Sequence, residues 1–539
     1  MKKFYTALKA LKEIYPPYLV LLVITPIITG FIIDHELSDS RQIIINLIWI
    51  PLFTIPFILL QKRIIYQLVT LIYFLIGLIE ISHWIILKGP VTLTSLLVIS
   101  NTNYLEAIEF FDLKATTGLL ILIPYTFLFF FSFRHSPKYF QSKIKPYFIG
   151  VVLLVSAIFI FENTIHGRLI RKGVPQTVKV TFSFIDKINL YREAMQEIDP
   201  RNLNANSTFI ASRQTFVLIL GESCSRQHMS LYGASRKTNP KLERRNDLIV
   251  YDNVVSPYSN TLNSVLSMFS QSNIDQKISF ENSIDIIDVF YSAGFKTYWI
   301  SNQSPIGIWD NLVTVFAKKS DYFKFVNTTS NSSFEAILTT SYDSKLFKPF
   351  NLALKEDVSK KFIVLHLMGS HSSYSKRYPS DFDIFNGSNN REETIAEYDN
   401  SMLYNDFIID SLLNIIISND SPQNSSIISA IYLSDHGENV YDELDRVGHD
   451  YSKELPKANV EVPFIVWLST GYLNLNPDKV RVINSNRNKP FVSDDLFHSI
   501  MDLNGIQSSY LEEERSIFSE KFSEARQRIL EDGKDYDKK

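Results

Sequence analysis

Glu222 closes an apolar run in the stretch VLILGESCSRQHMSLYG, residues 217–233. Asp435 and His436 stand side by side at the end of a second run, in YLSDHGEN, and His371 follows a third, in LHLMGSH. Carboxylates and an adjacent carboxylate–imidazole pair, brought together from separate segments, form a donor set for a divalent cation, and Zn²⁺ accepts such mixed oxygen and nitrogen ligands. Singly, each has a plainer reading. A Glu after a strand is usually a loop carboxylate, and SDHG is a turn in which Asp caps and Gly supplies positive φ. Hydroxyls cluster in SPYSNTLNSVLSMFS, where Ser259, Thr261, Ser264 and Ser267 are all candidates by type. Apolar Leu262, Val265, Leu266 and Phe269 follow Thr261 at helical spacing, so Thr261 is expected as a helix N-cap, where unpaired N–H groups can receive a phosphate oxygen.

The elements that must position these groups are legible as short β-rich runs. Strands are expected over Thr215 to Leu220, Leu248 to Val255, Lys296 to Ile300, Phe362 to Leu367, Ile427 to Leu433 and Val462 to Leu468. Most are near-continuously apolar, as strands covered on both faces are. Alternation with longer helical stretches predicts an α/β/α sandwich with a largely parallel sheet over residues 214–539. In such folds ligands gather outside the carboxyl ends of the strands, which is where Glu222, His371, Asp435 and His436 fall. NTTSNSSF (327–334) and SNDSPQNSS (418–426) read as surface loops, and no internal repeat is evident.

The first third of the 539 residues is of another kind, although the mean hydropathy of +0.01 averages it away. Apolar stretches run from Tyr18 to Ile33, Ile43 to Leu60, Ile64 to Leu87, Gly118 to Phe133 and Tyr147 to Phe161. Each approaches the roughly 17 to 25 residues a helix needs to cross about 30 Å of hydrocarbon, the first and fifth with help from flanking residues. Lys2, Lys3, Lys9 and Lys12 precede the first stretch, Lys62 and Arg63 follow the second, and Arg134, Lys138, Lys143 and Lys145 follow the fourth. The alternate loops carry fewer cations, so the positive-inside rule puts the N-terminus in the cytoplasm and everything after the fifth span on the far side. The expected organisation is a five-helix transmembrane domain over 1–162, an amphipathic linker at the membrane surface over 163–213, and an exported catalytic domain over 214–539. Glu80 and His83, one turn apart in the third span, either serve function or snorkel to the interface. Cys224 is the single cysteine, so no intramolecular disulfide staples the exported part. A net charge of −3 argues against nucleic acid as a partner.

The segments LGES…R…SLYG, MGSH…YSKRYP, LSDHGEN and GH…EVPFIVW, with VSDDLFHSIMDLNGI near the C-terminus, resemble the membrane-anchored phosphoethanolamine transferases that modify lipopolysaccharide, a branch of the alkaline phosphatase and sulfatase superfamily. That resemblance implies zinc held by Glu222, Asp435 and His436, with Thr261 as fourth ligand and nucleophile. It implies that His371 and His449 bind the phosphoryl group or a second zinc and shuttle protons. Glu438 and Asn302 would face the substrate head group, and Thr102 and Glu106, in NTNYLEAIEFF, would contribute to lipid recognition. The donor implied is phosphatidylethanolamine and the acceptor lipopolysaccharide, on a core heptose or on lipid A, the details of LSDHGENVYD and EVPFIVW being closer to the core-modifying branch. The protein would then be a monomer in the inner membrane, among membrane lipids, with its catalytic domain in the periplasm. The sequence departs from the family twice: Val98 replaces an asparagine four residues before Thr102, and Tyr258 and Ser267 stand where many relatives have cysteines flanking the nucleophile segment. A phosphoglycerol transferase using phosphatidylglycerol, and a non-catalytic scaffold of the same fold, are the alternatives. A sulfatase is disfavoured, because the chain has no C-x-P-S-R or S-x-P-S-R segment.

Overall fold

The computed structural model describes residues 15–34, 41–60, 63–87, 89–92, 95–96, 120, 122–135, 178–186, 189, 203–209, 211–280, 283–303, 313–327, 341–420, 426–449 and 455–538. They belong to two compact units, one built from helices before residue 190 and one from the residues that follow.

In the first unit, helices α1 (Pro17–Ile33), α2 (Arg41–Leu60), α3 (Arg63–Leu87) and α4 (Leu122–Arg134) coincide with the first four expected apolar stretches. Their shared core is Leu19, Leu22, Val23, Tyr66, Tyr73, Tyr125 and Phe129. Two polar ties cross it: the Tyr125 hydroxyl donates to the Leu22 carbonyl at 3.1 Å, and Tyr66 and Ser132 share a hydrogen bond at 3.2 Å. Among the described residues one helix, Arg63–Ile86, is long and apolar enough to cross a membrane, and Pro17–Ile33, Arg41–Ile50 and Leu122–Arg134 are shorter apolar helices. The fifth expected stretch lies outside the described residues. His83 is buried, with its Nδ1 hydrogen-bonded to the Gly89 carbonyl at 2.8 Å. In the expected linker, residues 178–186 are helical and expose Phe182 and Ile185.

The second unit is organised by a seven-stranded sheet: β1 (Arg213–Gly221), β2 (Leu248–Tyr251), β3 (Lys296–Ser301), β4 (Tyr322–Phe325), β5 (Lys360–His366), β6 (Ser426–Ser434) and β7 (Phe464–Leu468), in the order β2-β7-β6-β1-β5-β3-β4. β1 is central and parallel to both neighbours, with Leu220 opposite His366 and Leu433. Helix α5 (Thr261–Met268) lies on one side, where Phe269 at its end packs on Trp299 of β3 at 5.1 Å. Helices α6 (Phe347–Lys355) and α7 (Asn390–Asn419) cover the other, placing Phe350, Ile408, Leu412 and Ile416 against Val217, Ile219, Ile363 and Leu365. With both faces covered, Val217, Leu218, Ile219 and Leu220 are at most 1% exposed. Each such side chain contributes about 1.5 to 3 kcal/mol.

The sheet is mixed where a largely parallel one was expected. β7 runs antiparallel to both β6 and β2. Among the described residues the connection from β6 to β7 carries a small antiparallel pair, Asn439–Val440 with Val447–Gly448, and the four-residue helix Lys457–Val460, rather than the longer helix that usually makes a parallel crossover. The stretch Leu248 to Val255 divides into β2 and a short strand, Val254–Val255, which pairs with Phe491–Val492. β4 was not expected; it is an edge strand whose Tyr322 and Phe323 remain exposed, so it lacks the buried-face pattern.

Candidate active site and metal centre

β1 and β6 end in register, Gly221 opposite Ser434, which delivers Glu222 and the Asp435–His436 pair to one edge of the sheet. Glu222 is pinned through its main chain: its carbonyl accepts from Ser370 N at 2.9 Å, in the loop that leaves β5. That loop approaches so closely that a Cβ on Gly369, where φ is +54°, would lie 2.5 Å from the same carbonyl. Ser223 next turns into the left-handed region at φ 55°, a conformation that disfavours any residue with a Cβ. The turn aims Ser223 N–H at Asp435 Oδ1 (3.1 Å), and the Ser223 hydroxyl donates to Glu222 Oε1 at 2.7 Å. In SDHG the glycine provides space rather than positive φ, since a Cβ on Gly437 would meet the Ala458 carbonyl oxygen at 2.0 Å.

Thr261 starts helix α5. Its position corrects the sequence expectation by one residue: the N-cap is Asn260, whose side chain accepts from Asn263 N at 3.1 Å, and Thr261 is the first helical residue. Asn260 takes the cap because it has the extended backbone a cap requires, φ −140° and ψ 146°, and its short amide reaches the third N–H. The Thr261 hydroxyl is thereby free to point at the sheet edge, 3.1 Å from Glu222 Oε2 and 3.3 Å from His436 Nε2.

His436 Nδ1 lies 2.7 Å from the Gly437 carbonyl, which can only accept, so that nitrogen carries the proton and Nε2 turns to the cluster. Nε2 is 3.4 Å from Glu222 Oε1 and 3.5 Å from Asp435 Oδ2. Asp435 Oδ1 is satisfied by two backbone N–H groups, but Oδ2 is buried with no hydrogen-bond partner. Separations of 3.1 to 3.5 Å among these donor atoms match the edge of a tetrahedron, about 3.3 to 3.4 Å, whose corners lie ~2.0–2.1 Å from its centre, the usual Zn–N and Zn–O lengths. The electrostatics agree. Burial and the neighbouring Glu222 charge push the Asp435 carboxyl upward, and a dication among the three groups would favour its charged form. The donor chemistry, the spacing and the orphaned Asp435 oxygen all fit a divalent metal.

His449 and His371 flank this cluster. The His449 ring centroid is 4.5 Å from that of His436, and its Nδ1 is 2.7 Å from Glu438 Oε2. Glu438 is 1% exposed and also accepts from the Tyr374 hydroxyl at 2.6 Å. Burial alone would raise its carboxyl, yet His449 and the Tyr374 hydrogen bond hold it below the usual range. His436, Glu438 and His449 also form a second potential donor group. His371 is half-buried beside Ser372 (Nδ1 to Oγ 3.3 Å), and its charge acts on Glu222.

Two residues expected to face a substrate are instead enclosed. Glu438 has both oxygens engaged by protein donors, and Asn302 is fully buried, its amide donating to the Ser341 carbonyl (3.0 Å) and to Asp343 Oδ1 (2.8 Å). Asp343 also receives Met368 N and Gly369 N, so Asn302 supports the loop leading to His371. Thr102 and Glu106 lie outside the described residues. The structure adds Gln303, whose amide donates to the Leu367 carbonyl at 2.8 Å and reaches Glu222 Oε2 at 3.4 Å. Only its place after strand β3 could have flagged it. Cys224 is fully buried among Met229, Tyr374, Tyr398 and Met402, and burial pushes its thiol up to about 11, in keeping with a packing role.

The family model described as Sulfatase matches residues 214–506, over half of the chain and containing every described site residue. The chain belongs to the sulfatase family. Phosphoethanolamine transferase EptC of Escherichia coli O18:K1:H7 is 27% identical over 528 residues, covering 90% of this chain and 88% of that protein. The crystal structure of the C-terminal periplasmic domain of E. coli EptC in complex with Zn is 27% identical with a TM-score of 0.56, over 63% of this chain and 97% of the other. Integral membrane EptA from Neisseria meningitidis, 18% identical with a TM-score of 0.64, aligns over 95% of this chain and 98% of its own, a likeness of fold. The resemblance read from the sequence motifs is borne out, and this sulfatase-family chain is an enzyme with phosphoethanolamine transferases among its relatives.

Proposed function

We propose that the protein transfers phosphoethanolamine from phosphatidylethanolamine to lipopolysaccharide, through a covalent phosphoethanolamine–Thr261 intermediate. The observation that carries this reading is the convergence at a buried sheet edge of the Thr261 hydroxyl, in hydrogen-bonding range of Glu222 and His436, with a Glu222–Asp435–His436 group whose ligand atoms lie within 4.8 Å of one another. Glu222, Asp435, His436 and Thr261 would hold zinc, which supplies a lowered hydroxyl pKa and charge compensation for the transferred group. Thr261, its hydroxyl proton already lost to solvent, attacks the donor phosphorus through Oγ1, the P–O bond to diacylglycerol breaks, and the diacylglycerol oxygen takes a proton from a protonated histidine. His449 suits this task because Glu438 fixes its ring through Nδ1, and His371 suits contact with the phosphoryl oxygens. In the second half, an acceptor hydroxyl or phosphate on core heptose or lipid A gives its proton to the same histidine, attacks the phosphorus and releases Thr261.

Membrane placement belongs to the same proposal: five spans over residues 1–162, a linker over 163–213 whose exposed Phe182 and Ile185 rest in the interface, and a periplasmic catalytic domain over 214–539, acting as a monomer in the inner membrane. Both substrates are then lipids at one surface, with Thr102 and Glu106 assigned to the donor. The deciding experiment incubates the full chain in lipid vesicles with phosphatidylethanolamine labelled in its head group, adds lipopolysaccharide, and follows label on protein and product by mass spectrometry. Label on the Thr261 peptide that is chased into lipopolysaccharide supports the reading; label passing only from phosphatidylglycerol, or none reaching the protein, overturns it.

A further inference from the structure

The sequence lacks the flanking cysteines that would stiffen the nucleophile turn, yet the structure holds that turn by other means. Residues 528–537 double back: Leu530 N donates to the Lys534 carbonyl at 2.9 Å, Tyr536 N to the Arg528 carbonyl at 2.9 Å, and Ile529 bridges Asp535. Leu530 is fully buried. Arg528 ties the hairpin to Asn253, reaching its Oδ1 at 2.7 Å, and the Tyr536 hydroxyl bonds Glu461. Thus fixed at its base, the hairpin presents Glu531 to the turn before α5. Glu531 N donates to the Pro257 carbonyl at 2.9 Å, and Glu531 Oε1 accepts from Ser259 N at 2.7 Å and from Ser259 Oγ at 2.6 Å. Oε2 faces the Asn260 amide at 3.5 Å, and Asn260 is the residue that caps α5 and sets where Thr261 begins.

We propose that the hairpin of residues 528–537 clamps the nucleophile turn and that Glu531, 272 residues from its partner Ser259 in sequence, is a positioning residue for the Thr261 hydroxyl. A carboxylate receiving a backbone N–H and a hydroxyl on one oxygen forms charge-assisted hydrogen bonds, roughly twice as strong as neutral ones. It holds the backbone two residues before Thr261. The consequence for rate follows because a misplacement of about 1 Å at the attacking atom can cost ~100-fold. This rate effect rests on the proposed role of Thr261 as nucleophile; the clamp itself does not.

The test uses the full chain in vesicles, with head-group-labelled phosphatidylethanolamine as donor, and pairs turnover with amide hydrogen exchange. Glu531→Ala is expected to lower kcat about 10- to 100-fold while KM stays within about twofold, because no substrate-binding group is removed. Exchange in the peptide around 256–262 should speed up about tenfold, with peptides from β1 and β6 unchanged. Glu531→Gln keeps an oxygen acceptor and should recover kcat to within about threefold of wild type. Ser259→Ala guards against misfolding of the Glu531 variants, since added to Glu531→Ala it should cost nothing further. Unchanged exchange at 256–262 would overturn the clamp, and a kcat for Glu531→Ala within twofold of wild type, or fully additive losses in the double variant, would overturn the positioning role. A wild-type chain that shows no transfer while Glu531→Ala still loosens 256–262 would sink the functional reading and leave the clamp standing.

Discussion

At the scale of single residues, the centre is a set of buried charges whose geometry is decided by main-chain contacts. Thr261→Ala should reduce transfer by at least about 10³-fold, with Thr261→Ser retaining measurable turnover, in the labelled-lipid assay. Asp435→Asn should lower bound zinc, measured by elemental analysis of purified protein, because the substitution weakens the one oxygen that lacks a protein partner. His228 carries a separate, pH-dependent load. Its two ring nitrogens lie 2.6 Å from Asp399 and 2.9 Å from Asp442; burial works against its charge, but these carboxylates prevail and raise it from 6.5 to about 9. The folded state therefore favours the proton. The stabilisation, on the order of 3 kcal/mol, is complete below about pH 6.5 and is lost as pH climbs through 9. Melting curves at pH 6, 8 and 9.5 should show wild type losing its advantage over His228→Gln across that interval; parallel losses in both would contradict it. Glu222, Asp435 and His436 were legible because each follows an apolar run directly. Gln303 and Glu531 were not, since their partners lie far away in sequence and nothing local marks a polar side chain that will meet them.

At the scale of elements, the sheet edge functions because neighbouring loops come closer to one another than side chains would ordinarily allow. Gly369 is the plainest instance. Replacing it with alanine puts a methyl group 2.5 Å from the Glu222 carbonyl in a backbone conformation that L-residues avoid, so Glu222 must shift. Gly369→Ala should destabilise the fold by about 2 kcal/mol and weaken zinc binding, read from thermal melts and a metal-competition titration. Six of the strands were readable as apolar runs, because a strand covered on both faces announces itself in composition. Direction was not: β7 is as apolar as its neighbours, and nothing in its composition marks that it runs antiparallel to β6. The helical start was off by one residue because Asn260 and Thr261 are both good caps, and the choice between them depends on the turn that precedes them.

At the scale of the whole molecule, the chain divides into a helical unit and a sheet-centred unit that carries every described residue of the candidate metal site. A fragment of residues 203–539 should therefore fold, bind zinc and unfold cooperatively, yet transfer phosphoethanolamine from vesicles at least about tenfold more slowly than the full chain. Equal rates for the two would mean that the helical unit does nothing for the donor. Stripping metal from the full chain should lower both its melting temperature and its turnover, and added zinc should restore both.

The lone, buried thiol of Cys224 has a further consequence in the cell. A single cysteine cannot close an intramolecular sulfur–sulfur bond, so folding of this sequence should not depend on oxidative folding catalysts. Bacteria lacking those catalysts, or growing without oxygen in a reducing medium, should display it at full strength.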